Sequence, residues 1–228
     1  MQTPAEKRLI ETLIEAIKVK TKERTERVAI LNIGAGASPL IERELESVLP
    51  ATSFFVDRLD IESHSAEALC VREYILGSVE QMDMIANGSY DIAFANYVFE
   101  HVGRLDMALN EVHRVLKPGG VFIISVPNPR APEFFISKHT PHSFHEAVRG
   151  AEETAFETAY AYRSLADLVS RAGRTGLRLH HIDRYSSLRA YAGRFPLLAP
   201  LARIYDAIVN SLSLTPLMGQ ACLVLIKD

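Results

Sequence analysis

VAILNIGAGASP, residues 28–39, sets a largely apolar run directly against two glycines. A short run that is apolar on both alternations describes a strand buried on both faces, as in parallel sheets covered by helices. The run stops at Gly34-Ala35-Gly36, where the backbone carries almost no side chain. Bare backbone suits a tight turn and also suits close approach of a ligand. Pro39 fits the first turn of a following helix, where its missing N–H costs nothing. Strand, glycine loop and helix place backbone N–H groups at a helix N-terminus. Ligands in open α/β sheets lie outside the carboxyl ends of the strands.

The surrounding chain extends this pattern. Residues 1–27 predict an N-terminal helix with a charged end, with Leu9, Leu13, Ile14 and Ile17 on one face. Beyond the loop, Pro39–Val48 predicts a helix and residues 52–59 a second strand ending in acids. Ala66–Tyr74 suits a helix, and residues 74–78 a short strand with a turn. Residues 89–95 read as a buried strand and Met107–Leu116 as an amphipathic helix. Lys117-Pro118-Gly119-Gly120 is a helix stop with turn chemistry, and Val121–Pro127 is a β-branched strand.

After Pro127 the alternation breaks, and residues 128–160 read as a loop or helical insertion. Arg163–Gly173 predicts a helix and Leu177–Tyr185 a strand. A second insertion, about 186–218, contains the apolar helical stretch Phe195–Leu214, and Gln220–Lys227 is a last buried strand. The expectation is an α/β domain over residues 28–228. It holds a seven-stranded, mostly parallel sheet with helices on both faces and an antiparallel last strand.

Composition narrows the function classes. The chain has 228 residues, 48% hydrophobic and 23% charged, enough for a substantial core. A net charge of −3 gives no global basic field, and no basic stripe carries interleaved aromatics, so nucleic acid is not an expected partner. The two cysteines, Cys70 and Cys222, have no CxxC or Cys/His spacing, so neither a zinc site nor a disulfide framework has support. The charged N-terminal segment is unlike an export signal, and no uncharged run is long enough to span a bilayer. The expected location is the cytoplasm, as a monomer or homodimer.

The acid after the loop bears on the ligand. Asp57 follows Gly36 at about the 20-residue interval of nucleoside-type cofactor sites, where a carboxylate accepts from ribose hydroxyls. A dinucleotide fingerprint requires a third glycine, which GAGASP lacks, and this weighs against an NAD-type oxidoreductase.

ILNIGAGASPL, FFVDRLD, ILGSVEQM, SYDIAFANYVFEHV and ALNEVHRVLKPGGVFIISVPNP agree in order and spacing with one family. Over roughly residues 28–129 the chain resembles the S-adenosylmethionine-dependent methyltransferases of the Rossmann-like class. A looser likeness, in SKHTPHSFH (137–145) and residues 159–173, is to the "type 11" members acting on small molecules, sugars or lipids. The resemblance implies S-adenosylmethionine as cofactor, with Gly34, Ala35 and Gly36 beside its methionine portion. It implies Asp57 at the ribose, Arg58 along the adenine, and Ser78 and Val79 at the adenine edge. Asn96 and Tyr97 line the methyl-transfer face. Asn32 stands where the family usually has an acid, its amide oxygen left to bond the cofactor's amine, and Ser78 where it often has an Asp, each a neutral replacement. Asp60 is the second candidate for the ribose, weaker because it is expected beyond the strand end.

Methyl transfer from a sulfonium is an in-line displacement with an activated leaving group, so positioning can supply much of the catalysis. A base is needed only where the acceptor must lose a proton, and His101 is the candidate, as base or as a loop-holding residue. His139 and His142, with Tyr162 and Arg163, are candidate acceptor contacts or packed residues; HxxHxxH without a carboxylate and with Pro141 argues against a metal. Phe195–Leu214 is either a helical cap or an apolar acceptor pocket, dimer surface or interfacial membrane contact. If it lines the site, the acceptor is lipid-like or aromatic. A methyltransferase-like scaffold without turnover is the other alternative.

Overall fold

The computed structural model describes residues 2–23, 26–65, 67–131, 159–186, 188–189 and 199–228. Its first helix, α1 (Pro4–Glu23), is started by a reciprocal cap. The Thr3 hydroxyl accepts from the Glu6 N–H at 3.1 Å, and the Glu6 carboxylate accepts from the Thr3 N–H at 3.3 Å. Pro4 occupies the first helical position, where no N–H is needed. Leu9, Leu13 and Ile17 recur on one face and are fully buried.

The chain continues through β1 (Val28–Ile33), α2 (Leu40–Val48), β2 (Phe54–Asp60), β3 (Val71–Leu76), β4 (Tyr90–Asn96), α3 (Leu105–Val115) and β5 (Leu116–Pro127). It ends with α4 (Leu165–Arg174), β6 (Leu177–Tyr185), α5 (Ala199–Ser211) and β7 (Gln220–Lys227). The seven strands form one sheet in the order β3-β2-β1-β4-β5-β7-β6. β1 to β5 pair in parallel, and β7 runs antiparallel between β5 and β6. Two apolar layers cover it. α1 and α2 bury Leu13 and Leu45 with Phe54, Val56 and Ile123 on one face. α3 and α4 bury Leu109, Val112 and Leu168 with Leu31, Phe122 and Leu223 on the other.

The expected sheet is therefore present, with three local differences. The helix expected at Ala66–Tyr74 is not formed: Ala66 lies outside the described residues, and Val71–Leu76 is β3, the edge strand paired to β2. Backbone pairing to β2 overrides the helix-forming composition of that stretch, as tertiary context often does. β2 extends through Asp60, which pairs with Leu76, so Asp60 ends the strand rather than lying beyond it. The Lys117–Gly120 turn lies inside the span of β5, where pairing to β4 slips between Tyr90 and Ile92 and Gly119 takes φ +70°.

Both cysteines are free and buried, and burial pushes the Cys222 thiol up to about 12. Most of the 128–160 insertion lies outside the described residues, as do residues 190–198. No described helix is long and apolar enough to cross a membrane.

Leu13→Ala empties a fully buried position between α1 and the sheet. The expected loss is about 2–5 kcal/mol, read from urea unfolding at unchanged m-value.

Candidate functional site

Strand order reverses between β1 and β4, because β2 and β3 lie to one side and β5 to the other. Such a switch point opens a crevice at the carboxyl ends of the strands. There the structure has a cleft of about 440 Å³ lined by Gly34, Gly36, Asp60, Ser78, Val79, Asn96, Tyr97 and His101, among others.

The two glycines are bare for different reasons. Gly34 has φ +66°, and a Cβ built on it would lie 2.4 Å from a Val98 methyl. It lets the loop close against the segment after β4. Gly36 has φ +60°, and a Cβ there would meet nothing within 4 Å. It leaves open space against bare backbone, as a ligand cradle requires.

The loop is held from behind by Arg58. Its Nη2 lies 2.7, 2.9 and 3.0 Å from the carbonyl oxygens of Ala35, Gly36 and Ser38. Arg58 is buried, and its Nε lies 3.3 Å from the equally buried Glu42 carboxylate. Asn32 donates from its amide to the same carboxylate at 2.8 Å. Arg58 and Asn32 thus support the loop from behind and are not among the residues that line the cleft. With its carbonyls satisfied inside, the loop presents the Gly36 N–H forward, 2.7 Å from Asp60 Oδ2.

Asp57 and Asp60 lie in different surroundings. Asp57 lies mid-strand and fully buried, taking a two-point bond from the Arg72 guanidinium and a 2.8 Å bond from the Tyr90 hydroxyl. That carboxylate holds Arg72 above the ordinary guanidinium range, and burial raises the Tyr90 phenol. Asp57 is a core anchor away from the cleft. Asp60, half-buried at the strand end, lines it, bonded by the neutral N–H groups of Gly36 and Glu62. The sequence signal was present in FFVDRLD, and the choice between two acids depended on where β2 ends.

The other lining residues are set by short-range contacts. Ser78 Oγ accepts from the Glu80 N–H at 3.2 Å. Glu80 is paired with Arg104 at 2.8 Å, and the Arg104 N–H and guanidinium hold its carboxyl below the usual range against the opposing effect of burial. Asn96 accepts from Ser125 Oγ and donates to Glu6 at 3.2 Å, so its amide is fixed. Tyr97 takes the left-handed backbone at φ 56°, and its hydroxyl lies 2.8 Å from Thr3 Oγ1. His101 lines the cleft, its N–H donating to Val98 O at 2.9 Å. Ala35 sits in the loop, outside the cleft lining.

The acceptor candidates divide. His139 and His142 lie outside the described residues. Tyr162 is fully buried, its hydroxyl donating to Pro127 O at 2.9 Å, and burial raises it well above the ordinary phenol value. It is a core residue. Arg163 is exposed, and its N–H donates to Asp167 at the start of α4, away from the cleft. Sequence reasoning missed Glu6, because the sheet, and not the sequence, brings α1 to Asn96.

A family profile described as a methyltransferase domain matches residues 31–124. The match runs from β1 into β5 and includes the glycine loop, Asp60 and His101. A segment of 74 residues is 35% identical to the ubiquinone/menaquinone biosynthesis C-methyltransferase UbiE of Rubrivivax gelatinosus, covering 29% of this chain and 29% of that protein. A proposed sarcosine dimethylglycine methyltransferase of Galdieria sulphuraria superposes with TM-score 0.58 at 17% identity, covering 98% of this chain and 87% of that one. Geranyl diphosphate C-methyltransferase of Streptomyces coelicolor, solved with Mg2+, geranyl diphosphate and S-adenosyl-L-homocysteine, gives 0.55 at 14% identity over 98% and 81%. Both likenesses are of fold alone, and they run over nearly the whole of this chain.

Arg58→Ala leaves three loop carbonyls and the Glu42 charge buried without their cation. The expected loss is about 3–5 kcal/mol in urea unfolding.

Proposed function

We propose that the chain transfers a methyl group from S-adenosylmethionine to a small, apolar-bodied acceptor. The observation that carries this reading is Asp60. It is a half-buried carboxylate at the carboxyl end of β2, beside an open glycine cradle, bonded only by neutral N–H groups among the described residues. Both of its oxygens keep acceptor capacity for the two hydroxyls of a ribose.

The cleft residues fit such a cofactor. Gly34 and Gly36 carry the backbone it lies against, Asp60 takes the ribose, and Ser78 and Val79 border the adenine. Asn96 and Tyr97 form the wall after β4. Bound there, S-adenosylmethionine supplies an electrophilic methyl group whose thioether leaving group needs no proton. The chain's own contribution is then to align the acceptor and exclude water, and Val79, Val98 and Val102 give the cleft an apolar side for this. His101 is placed to take a proton from a hydroxyl or activated carbon acceptor.

Two observations support an apolar acceptor. Leu201, Ile204 and Ile208 form an exposed stripe along α5, continued by Leu212 just beyond it, and this segment leads to the start of β7 at the same edge of the sheet as the cleft. The names of the Rubrivivax and Streptomyces relatives point to quinone biosynthesis and to geranyl diphosphate.

Calorimetric titration with S-adenosylhomocysteine tests the reading. Micromolar binding is expected, with Asp60→Asn at least about tenfold weaker, as loss of hydrogen bonds to a charged group implies. Asp57→Asn is expected to retain affinity while lowering stability. Equal affinity of Asp60→Asn and wild type, or no binding at all, contradicts the assignment.

A further inference from the structure

We infer that Glu6, in the first turn of α1, is the carboxylate that binds the positively charged amino-acid end of the cofactor. The inference rests on the S-adenosylmethionine reading given above. The side chain reaches the cleft wall: its Oε1 accepts from Asn96 Nδ2 at 3.2 Å, and Asn96 lines the cleft. The adjoining contact, Thr3 Oγ1 to the Tyr97 hydroxyl at 2.8 Å, fixes the same turn of helix against the next lining residue.

Charge accounts for its role. Carboxylates around the sheet are generally matched by cations: Asp57 by Arg72, Glu42 by Arg58, Asp91 by Lys117, Glu80 by Arg104. Glu6 is different. Its oxygens accept from an amide and from the Thr3 N–H, and no cation among the described residues pairs with it. Asp60 shares this property at the cleft, so two carboxylates there have neutral donors alone. Each oxygen of Glu6 retains a lone pair after its present bond.

The order of strands gives the two acids separate tasks. Across the cleft run Ser78 after β3, Asp60 at the end of β2, Gly34 after β1 and Asn96 at the end of β4. With the ribose at Asp60, one end of the ligand points toward β3 and the other toward β4. The acid on the β3 side, Glu80, is already neutralised by Arg104. The unneutralised acid is on the β4 side, and that is where the ammonium goes. Asn32, neutral and committed to Glu42, leaves this task open, and Glu6 fills it from another element.

Glu6→Gln separates this role from a structural one. Glutamine keeps one acceptor oxygen for the capping box and gives up the bond from Asn96 Nδ2, so helix and fold are retained while the charge is removed, and the second probe reads any packing effect of the lost bond. Two probes are titrated into wild type and variant: S-adenosylhomocysteine, and 5′-methylthioadenosine, which has the adenine, ribose and thioether but no ammonium. The expected result is about tenfold weaker binding of the first and unchanged binding of the second, since the lost contact is charge-assisted. Unchanged affinity for both probes overturns the inference, and so does equal weakening of both, which marks a packing effect. Failure of wild type to bind either probe removes the cofactor reading itself and this inference with it.

Discussion

The cleft depends on a cation that never reaches it. A loop that turns as sharply as Gly34–Ser38 must direct several carbonyls inward, where water cannot satisfy them. Arg58 meets three of them from a buried position, and a buried guanidinium is tolerable only beside an anion. Glu42 on α2 supplies that anion, and Asn32 on β1 bonds the same carboxylate. One guanidinium, one carboxylate and one amide thereby tie β1, β2 and α2 together behind the loop. With the carbonyls occupied at the back and the Gly34 and Ala35 N–H groups bonded to Leu59 O, the Gly36 N–H is the one that meets Asp60.

The topology distributes charge around this cradle. Cations neutralise Asp57, Glu42 and Asp91 beside the sheet and Glu80 at the cleft, while Asp60 and Glu6 meet neutral donors among the described residues. Binding sites of this type are built in advance: each carboxylate is oriented by backbone or amide N–H groups and keeps acceptor capacity for a ligand.

Much of this was legible in the residues. The apolar runs at 28–33, 90–96 and 220–227 marked strands because burial on both faces leaves little room for polar side chains. The glycine loop marked the ligand edge for the same steric reason. Two features were not legible. Arg72 and Tyr74 belong to an edge strand whose formation depends on hydrogen bonds to β2, a long-range pairing that local composition does not encode. Asp57 and Asp60 are chemically alike, and only the end point of β2 and the positions of Arg72 and Tyr90 separate a core anchor from a cleft acid. Glu6 reads as an ordinary helix-start acid, which it also is; its contact with Asn96 exists because α1 crosses the sheet.

That crossing has a consequence for how the molecule assembles. α1 comes early in the chain, yet it packs on β4, β5, β6 and β7, and Arg8 bonds Asp183 of β6 at 2.8 Å. The seat for the first helix is therefore not complete until the final strand has inserted between β5 and β6. Contacts of such sequence separation form slowly, because a long loop must close before they contribute. Glu6 and Thr3 reach the cleft wall as part of that late event. The glycine loop and its buried arginine can form from local neighbours, whereas the wall built from α1 awaits β7. The cleft wall is thus a late product of the fold: it is complete only once β7 has paired.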